Sequence, residues 1–439
     1  MAAQCFFAFI LLASGFSAAR LQTRDSQFHA TLSICQLAAQ AISPASDVFY
    51  PGSPSYAEDI SHWANSSSAP AACSVETGTA QDLRILGNTR TPFAVKGGGH
   101  STNPGFSSTT GVEISMSRFS EVIYNASTQT VEIGSGLIWD DVYAALEPYN
   151  VTVVGGRISG VGVAGFTLGG GLSYKTNQYG LAVDNVVAYE LVLPNGVVKT
   201  ITSKDEDLFW GLKVNIGQLI FYDAPTPPSG LFDEFLAIPG IDTTVLKTQS
   251  YLSYVKAAAL PPGGPRVFYG AASFLQFTKP LLQAVINETK FWGDTLTPHS
   301  ATVIVNSIEP FLPSLFSHGA PGSSACPPDR SVGLLPINLD YAWTDASEDA
   351  RMHGALVRSA RQMTAAAVAE GQDVALAAVY SNYALFDTPV EDIWGKNVQR
   401  LRKIKRRYDP LDVMGLAGGF KFYMVLNYTI EFNGLTTEI

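Results

Sequence analysis

Two dense glycine clusters constrain this 439-residue chain more than any other feature. Gly97, Gly98 and Gly99 follow the stretch ThrProPheAlaValLys and lead into His100 and Ser101, while Gly160, Gly162, Gly165, Gly169, Gly170 and Gly171 follow ThrValValGlyGly. Bare backbone at strand ends lets amide N–H groups come close to a pyrophosphate, and successive N–H groups pointing one way form an anion nest. A dinucleotide is the guest such a pattern suits. Residues 160–165 also spell GxGxxG, and Asp184 lies about 20 residues further on, so a nicotinamide-binding reading stands beside this one. Against it, PheThrLeuGlyGlyGly follows where a helix is required, and Asp184 precedes its strand instead of ending it. A third reading makes the glycines structural, in a secreted β-rich binding protein.

His100 separates these readings. A histidine on a glycine loop at a dinucleotide site is a possible point of covalent attachment, because a neutral imidazole nitrogen is nucleophilic enough to add to the activated 8-methyl of a flavin. The alternative is a histidine that only hydrogen-bonds within its loop. Composition removes other classes of function. Only 15% of residues are charged and the formal net charge is −10, so no basic stripe is available for a phosphate backbone and nucleic acid is excluded as a partner. With 46% hydrophobic residues the chain can bury one large core or two smaller ones, and two domains are expected. No metal site is expected.

Residues 1–19 carry an apolar run, CysPhePheAlaPheIleLeuLeuAla, followed by Ser14, Gly15, Ser17, Ala18 and Ala19, the pattern of a secretory signal although no Lys or Arg precedes the run. The run is too short for a stable membrane anchor, and no other stretch reads as transmembrane. A secreted protein, with no membrane association once the signal is removed, is therefore expected. With Cys5 in the signal, a Cys35 to Cys73 bridge is expected in the mature chain, with Cys326 left over; its loop closure would contribute roughly 4 kcal/mol on the chain-entropy model. Two buried free thiols are the alternative. Sequons at Asn65, Asn125, Asn150, Asn287 and Asn427 agree with secretion.

Periodicity predicts a helix from about Thr31 to Ser43, a connection rich in Pro and Ser, and then short strands among the glycines. Hairpins are expected across AsnAlaSerThrGln and across Pro194, Asn195 and Gly196, with a helix from Ile138 to Leu146 between them. Residues 223–230 read as a linker into a middle domain that carries no recognisable motif. A basic amphipathic helix runs from Val390 to Arg407, with Ile393, Val398, Leu401 and Ile404 inward and its charges solvated. The class is α+β.

LysGlyGlyGlyHisSer, GlyValGlyValAlaGlyPheThrLeuGlyGlyGlyLeuSer, AspAsnVal and ValLeuProAsnGly, in this order and spacing, resemble the FAD-binding domain of fungal berberine-bridge-like oxidases, in the vanillyl-alcohol oxidase class. TyrSerAsnTyr at 380–383, the helix ending TyrAspPro and GlyGlyPheLys at 418–421 resemble that family's C-terminal segment. Beside the signal peptide at 1–19 and a lead-in at 20–64, the resemblance implies a PCMH-type FAD-binding domain at 65–222, a substrate domain with an antiparallel sheet covered by helices at 223–378, and a segment at 379–421 that returns to the FAD domain. It implies covalent FAD on His100 by a single link, since Ile158 stands where many members carry a second, cysteine link. Lys96, Gly97, Gly98, Gly99, Ser101, Gly160, Val161, Gly165, Gly170 and Asn382 fall at cofactor-binding positions. Val161 stands at the family's oxygen gate, which points to O2 as acceptor and an oxidase. Tyr383, with Tyr380 as second candidate, is implied as catalytic base, a task for which its pKa near 10 must be depressed. A small-molecule substrate, oxidised by hydride transfer in secondary-metabolite biosynthesis, completes the expectation. After Lys213 the chain departs from the family, as though a block were missing, and a relative that has lost FAD through this gap is the rival from another class.

Overall fold

The computed structural model describes residues 34–83, 91–205, 207–208, 223–224, 226–231, 248–257, 266–320, 322, 324–325 and 327–422, with strands at 430–432 and 435–437. The signal segment, Cys326, the stretch directly after Lys213 and the sequon at Asn427 lie outside the described residues.

The first sheet has the order β1-β2-β4-β3, with β1 Asp47–Phe49, β2 Cys73–Glu76, β3 Phe93–Lys96 and β4 Val112–Ser115. Strand β4 runs parallel to both β2 and β3. All four residues of β4 are buried, as expected for a strand covered on both faces. Cys73, Val75, Phe93, Val112 and Ile114 pack there against Cys35 and Ala38 of the helical stretch at 34–41. Cys35 and Cys73 are joined as a disulfide, with Cα atoms 6.2 Å apart.

Two hairpins follow, β5 Val122–Asn125 with β6 Thr130–Ile133, and β7 Ala188–Val192 with β8 Val198–Thr202. Between them the helix Trp139–Leu146 buries Trp139, Val142, Tyr143 and Leu146 against the β5-β6 hairpin. Tyr251, Leu252, Tyr254 and Val255 of the helix Tyr251–Ala257 join that same cluster.

The middle of the chain forms the antiparallel sheet β10-β11-β9, from β9 Arg266–Phe274, β10 Ala301–Ile308 and β11 Leu335–Trp343. Alternation decides its two faces. Phe268, Ala272, Phe274, Ile337, Leu339, Tyr341 and Trp343 turn toward the helices Lys279–Leu296 and Asp349–Ala369, making the largest core of the molecule. The other face carries Val267, Tyr269 and Ala342, which meet Trp63 and Ala64.

At the C-terminal end the expected single helix is two. Val390–Trp394 is followed by a turn at Gly395–Asn397 and then by the helix Val398–Tyr408. Gly395 sits at φ 46°, which ends the first piece. Val390, Ile393, Trp394, Val398, Leu401 and Ile404 nonetheless face inward together, against Tyr189, Leu191 and Ile201 of the second hairpin. Among the described residues no helix is long and apolar enough to cross a membrane.

Candidate active site

The two glycine clusters meet backbone to backbone. A Cβ added to Gly98 would lie 2.5 Å from Gly162 Cα, and one added to Gly162 would lie 2.5 Å from Gly98 N. Only glycine fits at that crossing. The second cluster is held there by a bridge between Ile138 and Gly162, by Trp139 N donating to Val161 O at 3.0 Å and by Val163 N donating to Leu137 O at 2.9 Å. Asp140 shapes its turn, accepting from Ser159 Oγ at 2.7 Å and from Gly160 N at 2.9 Å. Gly160, at φ +85°, and Gly165 have no atom within 4 Å of where a side chain would begin, so their bare backbone borders open space. Gly170 takes φ 99° in the next turn.

The nicotinamide reading fails on this geometry. No strand leads into Gly160, the helix after it, Val163–Leu168, has six residues, and Asp184 is buried in an ion pair with Arg330 at 2.9 Å instead of facing a ribose.

His100 stacks on Trp63, with ring centroids 4.5 Å apart and planes 11° from parallel. Its Nε2 is buried and has no hydrogen-bond partner among the described residues. Burial, the dominant cause, lowers its pKa to about 4, so the imidazole is neutral near pH 7. A neutral, unpartnered ring nitrogen beside bare glycine backbone fits FAD held covalently at this position. Lys96 runs beside the glycine loop, its Cε 2.9 Å from where a side chain on Gly99 would begin. Its Nζ donates to Glu58 O at 3.3 Å, and burial lowers its pKa against the opposing pull of Asp59 and Glu113. Ser101 Oγ accepts from Asn103 N at 3.3 Å, and Asn103 Nδ2 donates to Ala384 O at 2.9 Å, tying the His100 loop to the C-terminal segment.

Tyr383 is the centre of a second group. Its hydroxyl donates to Glu309 Oε1 at 3.0 Å and accepts from Arg157 Nη2 at 3.1 Å, while Arg157 and Glu309 form an ion pair at 3.2 Å. The Tyr383 ring meets Tyr380 edge to face at 4.7 Å and Tyr269 at 6.1 Å, and Tyr269 lies 6.1 Å from Trp63. Asn382 Nδ2 donates to Tyr380 Oη at 2.7 Å, and its carboxamide packs where a side chain on Gly169 would be. Tyr380, Asn382 and Tyr383 thus stand beside the second glycine cluster, with a chain of aromatic rings reaching back to His100.

One expectation is overturned. The Tyr383 pKa is not depressed but pushed well above its ordinary value, first by burial and then by the adjacent Glu309 carboxylate, which outweigh Arg157. Both causes favour the neutral phenol. Glu309 is the group able to take its proton. Sequence reasoning missed Glu309 and Arg157, as well as Trp63, Tyr269, Asp140 and Asp340. Asp340 lies opposite Tyr269 in the β11-β9 register, on the face that meets Trp63, and burial raises its pKa to about 6. For Arg157 a signal existed, since it stands between two glycine groups; an acid placed by sheet pairing leaves none.

A family model described as FAD binding domain matches residues 77–202, and one described as berberine and berberine like matches residues 379–417. These two matches support a berberine-bridge-like FAD oxidoreductase. Among curated relatives, the FAD-dependent monooxygenase yanF of Aspergillus niger is 39% identical over 191 residues, 41% of this chain and 33% of that protein. The FAD-dependent monooxygenase macF of Penicillium terrestre is 41% identical over 176 residues, 37% of this chain and 34% of that protein. In these matches the chain spans about a third of the relatives' length. The FAD-dependent monooxygenase sdcF of Emericella nidulans is 26% identical across 89% of this chain and 99% of that protein. That alignment runs over 479 positions, more than the 439 residues of the chain, so the relative carries stretches with no counterpart here. The fold is that of 6-hydroxy-D-nicotine oxidase from Arthrobacter nicotinovorans, at a TM-score of 0.67 and 16% identity over 86% of this chain and 98% of that one. A carbohydrate oxidase from Microdochium nivale shares it at a TM-score of 0.66 and 18% identity, over 88% of this chain and 99% of that one. The PCMH-type, α+β architecture expected from the sequence is therefore the one found.

Proposed function

We propose that the chain is a secreted oxidase that holds FAD covalently through His100 and oxidises a small organic molecule of secondary metabolism at a carbon bearing a hydroxyl or amine. The observation that carries this reading is the arrangement of His100 and Tyr383 on the two sides of one aromatic chain, each backed by the glycine clusters. When bound, FAD supplies the hydride acceptor. The protein's part is proton management and positioning. The substrate's O–H or N–H proton passes to Tyr383 Oη as Tyr383 passes its own proton to Glu309 Oε1, so the tyrosine never has to exist as a free anion. Arg157 holds both partners in place through its contacts to Glu309 and Tyr383.

Asn382 holds Tyr380 by its hydroxyl, and the Tyr380 ring fixes the Tyr383 ring from behind. Val161, whose carbonyl is engaged by Trp139, lines the second cluster at the position linked with oxygen access. Reoxidation by O2 to hydrogen peroxide follows from the oxidase reading; the curated relatives, named as FAD-dependent monooxygenases, also allow a monooxygenase. Secretion is supported by the apolar N-terminal run and by the exposure of all four described sequon asparagines, Asn65, Asn125, Asn150 and Asn287.

The test is an absorbance spectrum of acid-precipitated wild type beside His100→Ala, followed by peroxide yield. Flavin retained by the wild type and released from the variant supports the link, and one peroxide formed per O2 consumed supports the oxidase. A folded, colourless wild type removes the reading and leaves the non-catalytic relative.

A further inference from the structure

Trp63 was singled out by no motif, yet it touches both halves of the site. Its indole lies flat on the His100 imidazole at 4.5 Å, and its backbone N–H donates to Gly99 O at 3.0 Å, in the residue just before that histidine. On the other side its segment is fastened to the substrate sheet. Ser66 Oγ donates to Val267 O at 2.9 Å and accepts from Val267 N at 3.1 Å, while Ala64 is fully buried against Val267 and Ala342. The Trp63 ring also meets Tyr269 at 6.1 Å. One four-residue stretch thus clamps the histidine loop to β9.

We infer that Trp63 is a positioning residue for flavin attachment: by stacking on His100 it fixes the plane of the imidazole, and with it the direction in which the ring nitrogen approaches the cofactor. The inference rests on the covalent reading above. Bond formation replaces one C–H of the flavin 8-methyl group and one imidazole N–H by a C–N bond. The two protons and two electrons released reduce the flavin ring, and O2 then takes them to become hydrogen peroxide. Such a step depends steeply on the angle of the attacking nitrogen, and a ring free to rotate about its side-chain bonds spends little time aligned. Trp63 Nε1 and His100 Nε2 are both buried without a partner among the described residues, so two polar groups await whatever the stack presents them to.

The experiment is reconstitution of flavin-free protein with free FAD, following the fraction of flavin that stays with the polypeptide after acid precipitation, for wild type, Trp63→Phe and Trp63→Leu. Trp63→Phe keeps a flat ring against the imidazole and is expected to attach flavin at a rate near wild type. Trp63→Leu is expected to bind FAD, seen as quenched flavin fluorescence, but to attach it about tenfold more slowly or worse. Attachment by Trp63→Leu at the wild-type rate would overturn the positioning role. A Trp63→Phe variant as slow as Trp63→Leu, with FAD bound in both, would overturn the stacking account. A wild type that releases all its flavin on precipitation removes instead the covalent reading, a result the two variants do not influence.

Discussion

The glycine crossing at residues 97–100 and 160–171 and the open face of the β10-β11-β9 sheet both border the same site, but they are built on opposite principles. At the crossing, function resides in backbone: amides must reach a ligand and two chains must touch, which only glycine permits at Gly98 and Gly162. On the sheet face, function resides in side chains whose direction follows from a period of two, so Tyr269 and Asp340 are set there by register. A region that recognises a ligand through backbone tolerates almost no change, while one that works through alternate strand positions can be retuned residue by residue.

The largest effect expected from this contrast is at Gly98. Gly98→Val would place carbon 2.5 Å from the backbone of Gly162, so the variant should purify without flavin or fail to fold; full flavin content would break the claim that the crossing is sterically closed. Next comes the proton relay. Tyr383→Phe should lower kcat by about 10²–10⁴ with little change in KM, and Glu309→Gln should lower kcat by a smaller factor in the same direction. An undiminished kcat in Glu309→Gln would show that Tyr383 passes its proton elsewhere.

On the sheet face the expected changes are gentler. Asp340 is an uncharged acid below about pH 6 and a carboxylate above it, so KM should change across that pH in the wild type and stay flat in Asp340→Asn. The same bend in both would place the titrating group outside the sheet.

The smallest effect concerns stability beneath the glycine loop. Burial is the main cause that raises the Glu113 pKa from 4.5 to about 8, against the pull of Lys96. Between those values the unfolded chain has released a proton that the folded protein keeps, so stability falls as pH rises through this window. Glu113→Gln removes that slope. Its Tm at pH 8 should exceed the wild type's, with the difference vanishing near pH 4. An equal Tm at both pH values would mean that Glu113 is ionised in the fold.

Both hairpins, the helix Trp139–Leu146 and the inward stripe of Val398, Leu401 and Ile404 were legible because each is decided by local pattern. The break at Gly395 was not, since the stripe continues across it and only the backbone angle shows the interruption. Lys96 was read as a cofactor-binding residue and lies beside Gly99, but its neighbours Asp59 and Glu113 were not legible, since they come near it only once the parallel sheet is formed.

By itself the sequence determined that backbone would be laid bare at two places and that a histidine would sit on one of them; the helix-covered sheet of the middle was implied only by the family resemblance. It could do so because glycine spacing and hydrophobic period are properties of neighbouring residues. Tertiary structure alone decided that Gly98 would touch Gly162, that Trp63 would lie on His100, and that Glu309 and Arg157 would close on Tyr383. Those partners are 74 and 226 residues from the tyrosine along the chain, a separation that only long-range packing can close and that no local pattern records.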